Sequence, residues 1–117
     1  MDIDDLRAIC LALPATEEEV KWDTVLCFMV ARKIFCLVGL DTPTPRPGFK
    51  TTEEVFEELV QSEAFIPAPH LGHAKWVQLT DSSRVSRKEL QQHIQQSYEL
   101  VKAKLTKKVK AEWKLDA

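Results

Sequence analysis

Apolar residues at helical spacing open the chain. Four of them lie three or four residues apart: Ile3, Leu6, Cys10 and Leu13. This spacing predicts a one-faced helix that begins after Asp2, whose side chain can cap it. Pro14 ends the helix, because a proline cannot continue the hydrogen-bond ladder. The first element is therefore a helix that leans on a core.

Two further helices are predicted by the same spacing. Thr51 with Glu54 is a possible capping box for one, and its apolar stripe is Val55, Phe56, Leu59 and Val60. Ser86 with Glu89 repeats the device before a longer stripe: Leu90, Ile94, Tyr98, Val101 and Leu105. We expect residues 107–114 to continue as a frayed helix.

Between the first two helices the pattern becomes typical of strands. Val20 and Trp22, the run VLCFMV and the run IFCLVGL are rich in β-branched and aromatic residues, and Ala31-Arg32-Lys33 separates the two runs by a hairpin's length. The segment DTPTPRPG is a loop, because proline removes backbone donors. Short strands are expected at residues 49–50 and 75–79.

These elements predict one α+β domain over residues 1–117. It contains an antiparallel sheet of about five strands packed by three to four helices, in the order α-β-β-β-(β)-α-β-α. The length of 117 residues and the 44% hydrophobic content are enough for one core and too small for two ordinary domains.

The segment FIPAPHLGHAKWVQL, residues 65–79, is expected to form a rigid turn that leads into a strand. Pro67 and Pro69 fix its direction, and Gly72 is expected to supply a positive φ. The loop motif that we single out is Pro67, Pro69, His70, Leu71 and Gly72.

Composition adds the expected environment. No apolar run approaches the roughly 20 residues that a membrane span needs, so no membrane partner is expected. Cys10, Cys27 and Cys36 are odd in number, lack a C-x-x-C pair and sit in apolar segments. This favours reduced, buried thiols in the cytoplasm, and we expect a monomer.

Charge is unevenly placed along the chain. Residues 84–117 hold nine Lys or Arg against four Asp or Glu, a charge of +5, whereas residues 1–83 hold seven against fourteen, a charge of -7. Such asymmetry can mark a surface for nucleic acid or another acidic partner. A solvated, lysine-rich helix face explains it equally well.

Several segments together resemble the MmcQ/YjbR family. They are Leu13-Pro14 with Glu17 to Glu19, the hairpin FMVARKIFCL, GFKT, PAPHLGHAKWV and SYELV. The resemblance runs over about residues 3 to 106, although the family usually has tyrosine in place of His70 and Ser-Leu in place of Gly48-Phe49. It implies a fold similar to the bacterial frataxin-like α+β sandwich and a role in DNA binding.

Motifs for catalysis are not visible. Gly39, Gly48 and Gly72 are too scattered for a G-x-G-x-x-G or Walker loop. His70 and His73 have a spacing suited to one ion, but no third ligand lies at a supporting offset. We therefore expect a protein that is not an enzyme, with no catalytic residues, no cofactor and no metal.

The remaining candidate site is basic and aromatic. Its members are Arg32, Lys33, Lys50, Lys75, Trp76, Arg84, Arg87 and Lys88. If they converge, the cations suit phosphate contacts with duplex DNA and the tryptophan can stack on a base. The competing interpretation makes Trp76 a core residue and gives Lys75 a hydrogen bond to a loop carbonyl.

A second function class is left open by the sequence. The isoelectric point of about 5.9 is low for a dedicated nucleic-acid-binding domain. The alternative is a module that binds a small molecule or a protein in a pocket near Trp22, Trp76 and His70.

Overall fold

The computed structural model describes residues 1–115 as an α+β fold. The strands are β1 (Thr16–Lys21), β2 (Val25–Val30), β3 (Lys33–Gly39), β4 (Gly48–Lys50), β5 (Phe65–Pro67) and β6 (Trp76–Leu79). The helices are α1 (Ile3–Leu11), α2 (Glu53–Leu59), α3 (Arg87–Ala103) and α4 (Lys107–Glu112). Single 3₁₀ turns span Gly72–Ala74 and Ser82–Arg84. The strands form one antiparallel sheet in the order β1-β2-β3-β4-β6-β5.

This architecture confirms the predicted fold class and most of the predicted order. The sheet is larger than expected, because β5 forms within a segment that reads as a connector. Pro67 ends this strand, which lies at the edge of the sheet, where a missing N–H removes no ladder bond. The C-terminal tail also differs, since Thr106 caps α4 as a separate helix.

The core lies between one face of the sheet and the helices α1 and α3. Asp2 and Asp5 cap α1 reciprocally, each side chain accepting the backbone N–H of the other. The predicted stripe of α3 is buried at Leu90, Ile94 and Tyr98. These side chains belong to one apolar cluster with strand residues that include Phe28, Val38, Phe49 and Val77.

Tyr98 fixes the position of α3 against the start of β1. Its hydroxyl donates to the carbonyl of Pro14 at 2.6 Å, and its ring meets Phe35 edge-on with centroids 5.3 Å apart. The T-shaped geometry is one that aromatic pairs favour. One side chain therefore links α3 both to the turn after α1 and to β3.

The cap of α2 differs from the prediction by one residue. Thr52 accepts the N–H of Val55, whereas Thr51 is buried and its hydroxyl donates to the carbonyl of Lys75 at 2.8 Å. The backbone N–H of Thr51 donates to the same carbonyl. Thr51 therefore joins β4 to the start of β6 through two hydrogen bonds and does not cap α2.

The three cysteines are free and buried. Cys27 pairs with Leu37 across the hairpin, so it does not stand opposite Cys36. A hydrogen bond with Cys10 and burial raise the pKa of Cys36, which leaves it protonated in the core. Within residues 1–115, no helix is long and apolar enough to cross a membrane. The cytoplasmic location and the monomeric state stay predictions, as does the likeness to the frataxin-like fold.

His93 of α3 is half-buried between two aromatic rings. It stacks on Phe49 with centroids 5.4 Å apart and meets Phe65 at 5.7 Å. Burial lowers the pKa of His93 below its ordinary value of 6.5, and the carboxylates of Glu89 and Glu58 offset part of that shift.

We expect the free energy of unfolding to fall as the pH drops through about 6.5. Near that pH the unfolded chain protonates His93, whereas the folded chain keeps it neutral to a lower pH. The stabilising contribution of neutral His93 is therefore complete above the pKa of the unfolded chain, and it is lost as the pH falls through the pKa of the folded chain. Urea midpoints at about pH 7.5 and about pH 5.5 measure the loss. His93→Gln should shrink the difference, and His73→Gln, in the exposed loop, should not; equal pH dependence in wild type and His93→Gln would contradict this account.

Candidate ligand-binding groove

A serine of α3 stands where β3 and β4 stop pairing. A β-bulge leaves Phe35 without a partner in β2, since Phe28 pairs with Cys36 and the next residue pairs with Ile34. The Phe35 carbonyl instead accepts a hydrogen bond from the Ser97 hydroxyl at 2.6 Å.

The same hydroxyl also serves the neighbouring strand. Ser97 Oγ accepts the backbone N–H of Lys50 at 2.9 Å. One buried side chain thus takes the place of a strand-to-strand hydrogen bond, because it satisfies a β3 carbonyl and a β4 amide together. Beyond this bridge the two strands are no longer paired, and a groove opens.

The groove has a volume of about 320 Å³. It is lined by Lys33 and Ile34 of β3, Lys50 of β4, Trp76 of β6, and Val101, Lys104 and Leu105 at the C-terminal end of α3. Its walls are therefore apolar side chains with three amines among them.

Lys50 has the least water around it of the three amines. It is half-buried, whereas Lys33 and Lys104 are exposed. Burial lowers the pKa of Lys50, and the nearby charge of Lys104 lowers it further. Its Nζ donates a long hydrogen bond of 3.4 Å to the carbonyl of Ala74. Among residues 1–115, no carboxylate lies within 4.0 Å of any of these three amines.

Trp76 forms one wall of the groove. It stands directly opposite Lys50 in the β4–β6 pair and is only 8% exposed. The side chain is thus mostly buried, as the core interpretation expects, and its remaining surface faces the groove. The position of Trp76 beside Lys50 also agrees with the expectation that the basic and aromatic residues come together in the fold.

Three arginines of the predicted basic set lie in ion pairs. Arg32, in the β2–β3 turn, approaches Glu17 at 3.5 Å and Glu19 at 3.8 Å. Two more pairs are Arg84 with Glu63 at 3.4 Å and Arg87 with Asp5 at 2.8 Å. These guanidinium groups already face acidic partners.

Two lysines of the set also lie outside the groove. The Lys75 amine sits 4.9 Å from the centroid of the Phe56 ring, a cation–π contact. Lys88 is exposed in the first turn of α3, whereas Lys104 follows its last turn. At 1.5 Å per residue, these two residues lie about 24 Å apart along the helix axis.

The loop motif is ordered, but for a different reason than expected. No glycine among the described residues has a positive φ, so the prediction for Gly72 is wrong; His70 and Lys75 adopt that conformation instead. A Cβ on Gly72 would lie 3.0 Å from the Cβ of Pro67. Gly72 therefore permits a close approach of the loop to the end of β5.

The loop also carries hydrogen bonds that lead into β6. Leu71 donates its N–H to the carbonyl of Ala68 and accepts the N–H of Trp76. Pro69 and His70 are exposed and lie outside the groove lining.

The predicted pocket near Trp22, Trp76 and His70 does not form as one site. Trp22 lies in the β1–β2 turn and is 70% exposed. That turn is at the end of the sheet where Val25 pairs with Gly39, whereas the groove is at the end near the β2–β3 turn. A second cavity of about 210 Å³ lies at the first end, between the N-terminus and the proline-rich loop.

Sequence reasoning missed Ile34 of β3 and the site residues that lie on α3 or directly follow it. Val101 and Leu105 belong to its predicted apolar stripe, but that stripe shows only that they face inward. No local sequence pattern marks Lys104 or Ser97 as a site residue. For metal binding, no three His, Cys, Asp or Glu side chains gather as a ligand set within the described residues. The expectation of a metal-free protein stays a prediction.

Comparisons with known proteins agree on one relationship. A family model described as YjbR matches residues 11–100. The crystal structure of the Deinococcus radiodurans protein DR2400, with the family-model domain DUF419, is 30% identical and superposes with a TM-score of 0.88. That alignment covers 97% of this chain and 88% of the other. No curated protein matches the chain.

Replacing Ser97 with alanine should destabilise the protein by about 2 to 4 kcal/mol, because it leaves one buried carbonyl and one buried N–H without partners. Urea unfolding measures the change, and Gln96→Ala, on the exposed side of the same turn, should stay within about 0.5 kcal/mol of wild type. A loss below about 1 kcal/mol for Ser97→Ala would show that water or a strand shift satisfies both groups.

Proposed function

The chain belongs to the YjbR family, and from this starting point we propose that it is a binding protein whose groove takes a compact anionic ligand with an apolar part. The family assignment names no ligand, so the proposal depends on the groove. The observation that carries it is the meeting of Lys33, Lys50 and Lys104 on an apolar surface.

Electrostatics favours an anion in this groove. A half-buried ammonium group loses hydration, and the neighbouring amine of Lys104 adds repulsion. In a protein such a charge is normally offset by a carboxylate, and none lies near Lys50 among residues 1–115. A bound anion would supply the missing negative charge and hydrogen-bond acceptors.

Size and lining favour a small molecule. Small-molecule sites commonly occupy about 300 to 1,000 Å³, and the groove lies at the lower end of that range. Trp76, Ile34 and Leu105 offer apolar contact for the rest of such a ligand. This composition suits a ring or short chain that bears a phosphate or carboxylate group.

Binding to duplex DNA is the second candidate. It is favoured by the convergence of Lys33, Lys50 and Trp76, three members of the basic and aromatic set, with Lys104 beside them. A backbone phosphate is chemically suited to the three amines. The ion pairs of Arg32, Arg84 and Arg87 reduce the free positive charge available to a long duplex.

For the first candidate, phenyl phosphate should raise the melting temperature more than inorganic phosphate, because its ring adds apolar contact. At about ten times its Kd it should stabilise the fold by about 1.4 kcal/mol, roughly 4 to 6 °C at this chain length. Lys33→Gln and Lys104→Gln should each reduce the shift, and Lys88→Gln should leave it unchanged. No shift with either phosphate compound would refute the small-anion proposal.

For the second candidate, the affinity for a labelled duplex should fall with salt. Three phosphate contacts from the groove amines predict a slope of about -2.7 in log K against log salt, about -0.9 for each contact. Lys104→Gln should flatten the slope by about one unit, while Lys88→Gln keeps it. Fluorescence anisotropy measures both, and an absence of saturable binding at low salt would remove this candidate.

A further inference from the structure

Lys50 differs from its neighbours in a way that simple charge recognition does not require. It is the half-buried amine among the groove lysines, it pairs with Trp76 across β4 and β6, and its hydrogen bond to Ala74 is long at 3.4 Å. An amine that is desolvated and lies near a second cation is the type that reacts as a nucleophile.

We propose that Lys50 is a nucleophilic amine that binds carbonyl compounds covalently and reversibly as an imine. The ligand class is a compact aldehyde or ketone that also carries an anionic group. Lys33 and Lys104, both exposed at the groove, bind that group. This inference rests on the proposed function, because the same anion site positions the carbonyl carbon near Lys50.

The reaction needs no oxidant or reductant. The neutral amine of Lys50 attacks the carbonyl carbon, so an N–C bond forms, and one proton passes from the nitrogen to the carbonyl oxygen to give a carbinolamine. The hydroxyl takes up a second proton from solvent and leaves as water while the nitrogen lone pair forms the C=N bond, and the nitrogen then releases its last proton to solvent. The product is an imine, and the addition of water reverses each step.

Burial also favours this reaction near neutral pH. The burial of Lys50 and the charge of Lys104 both lower the pKa of the amine. Each unit by which a pKa falls gives about ten times more neutral amine at a pH below it. The apolar surface of Trp76 faces the same groove and limits the water near the nitrogen.

The test uses pyridoxal 5′-phosphate, which combines an aldehyde, an aromatic ring and a phosphate. Sodium borohydride fixes any imine by delivering hydride to carbon while the nitrogen gains a proton, and peptide mass spectrometry locates the group. We expect Lys50 to be labelled several times faster than Lys88, because Lys50 lies in the groove and its pKa is lowered. Its labelling should also persist to lower pH than that of free N-α-acetyllysine.

Matched probes and variants separate the possible results. Lys50→Arg should lose the fast label, phenyl phosphate should slow labelling of the wild type, and pyridoxal without phosphate should react more slowly. Labelling spread evenly over the lysines, or unchanged in Lys50→Arg, would overturn the inference. If phenyl phosphate still stabilised the protein in that case, the anion site would stand; if it did not, both proposals would fail.

Discussion

The hydroxyl of Ser97 is the interaction on which this architecture depends. A sheet that stops pairing in its middle normally leaves backbone groups without partners, and a buried carbonyl or amide in that state is costly. Ser97 accepts from Lys50 and donates to Phe35, so the sheet can separate without that cost. The separation lets the end of α3 reach the gap and line a groove with residues from three strands.

The groove also gives the polarised charge of the chain a structural meaning. Lys104 comes from the basic C-terminal third, whereas Lys33 and Lys50 come from the acidic part. In that acidic part, Glu17 and Glu19 face Arg32, and Glu18 binds Arg7 at 2.7 Å. These acidic side chains thus form ion pairs with arginines within the fold, and the groove amines remain available to a ligand.

The sequence predicted best what depends on local spacing. The cap at Asp2, the stripe of α3 and the β2–β3 hairpin are as expected, because each is determined by residues a few positions apart. The strand β5 was missed because Pro67 argues against a strand unless the edge position is known. Gly72 was misjudged because its constraint is the distance to Pro67, which only the folded loop creates.

The candidate site was predictable only in part for the same reason. Lys33, Lys50 and Trp76 lie at one groove, in line with the basic and aromatic pattern. Arg84 and Arg87 instead form ion pairs with acidic residues far away in the sequence, which the pattern alone does not reveal. The two edges of the sheet have a consequence for the chain's behaviour in solution. β1 carries three consecutive glutamates, of which Glu19 is exposed, and β5 is three residues long with Pro67 at its end. A second β1 approaching in antiparallel fashion would meet like charges, and β5 offers little backbone to pair, so both margins of the sheet resist growth into aggregates.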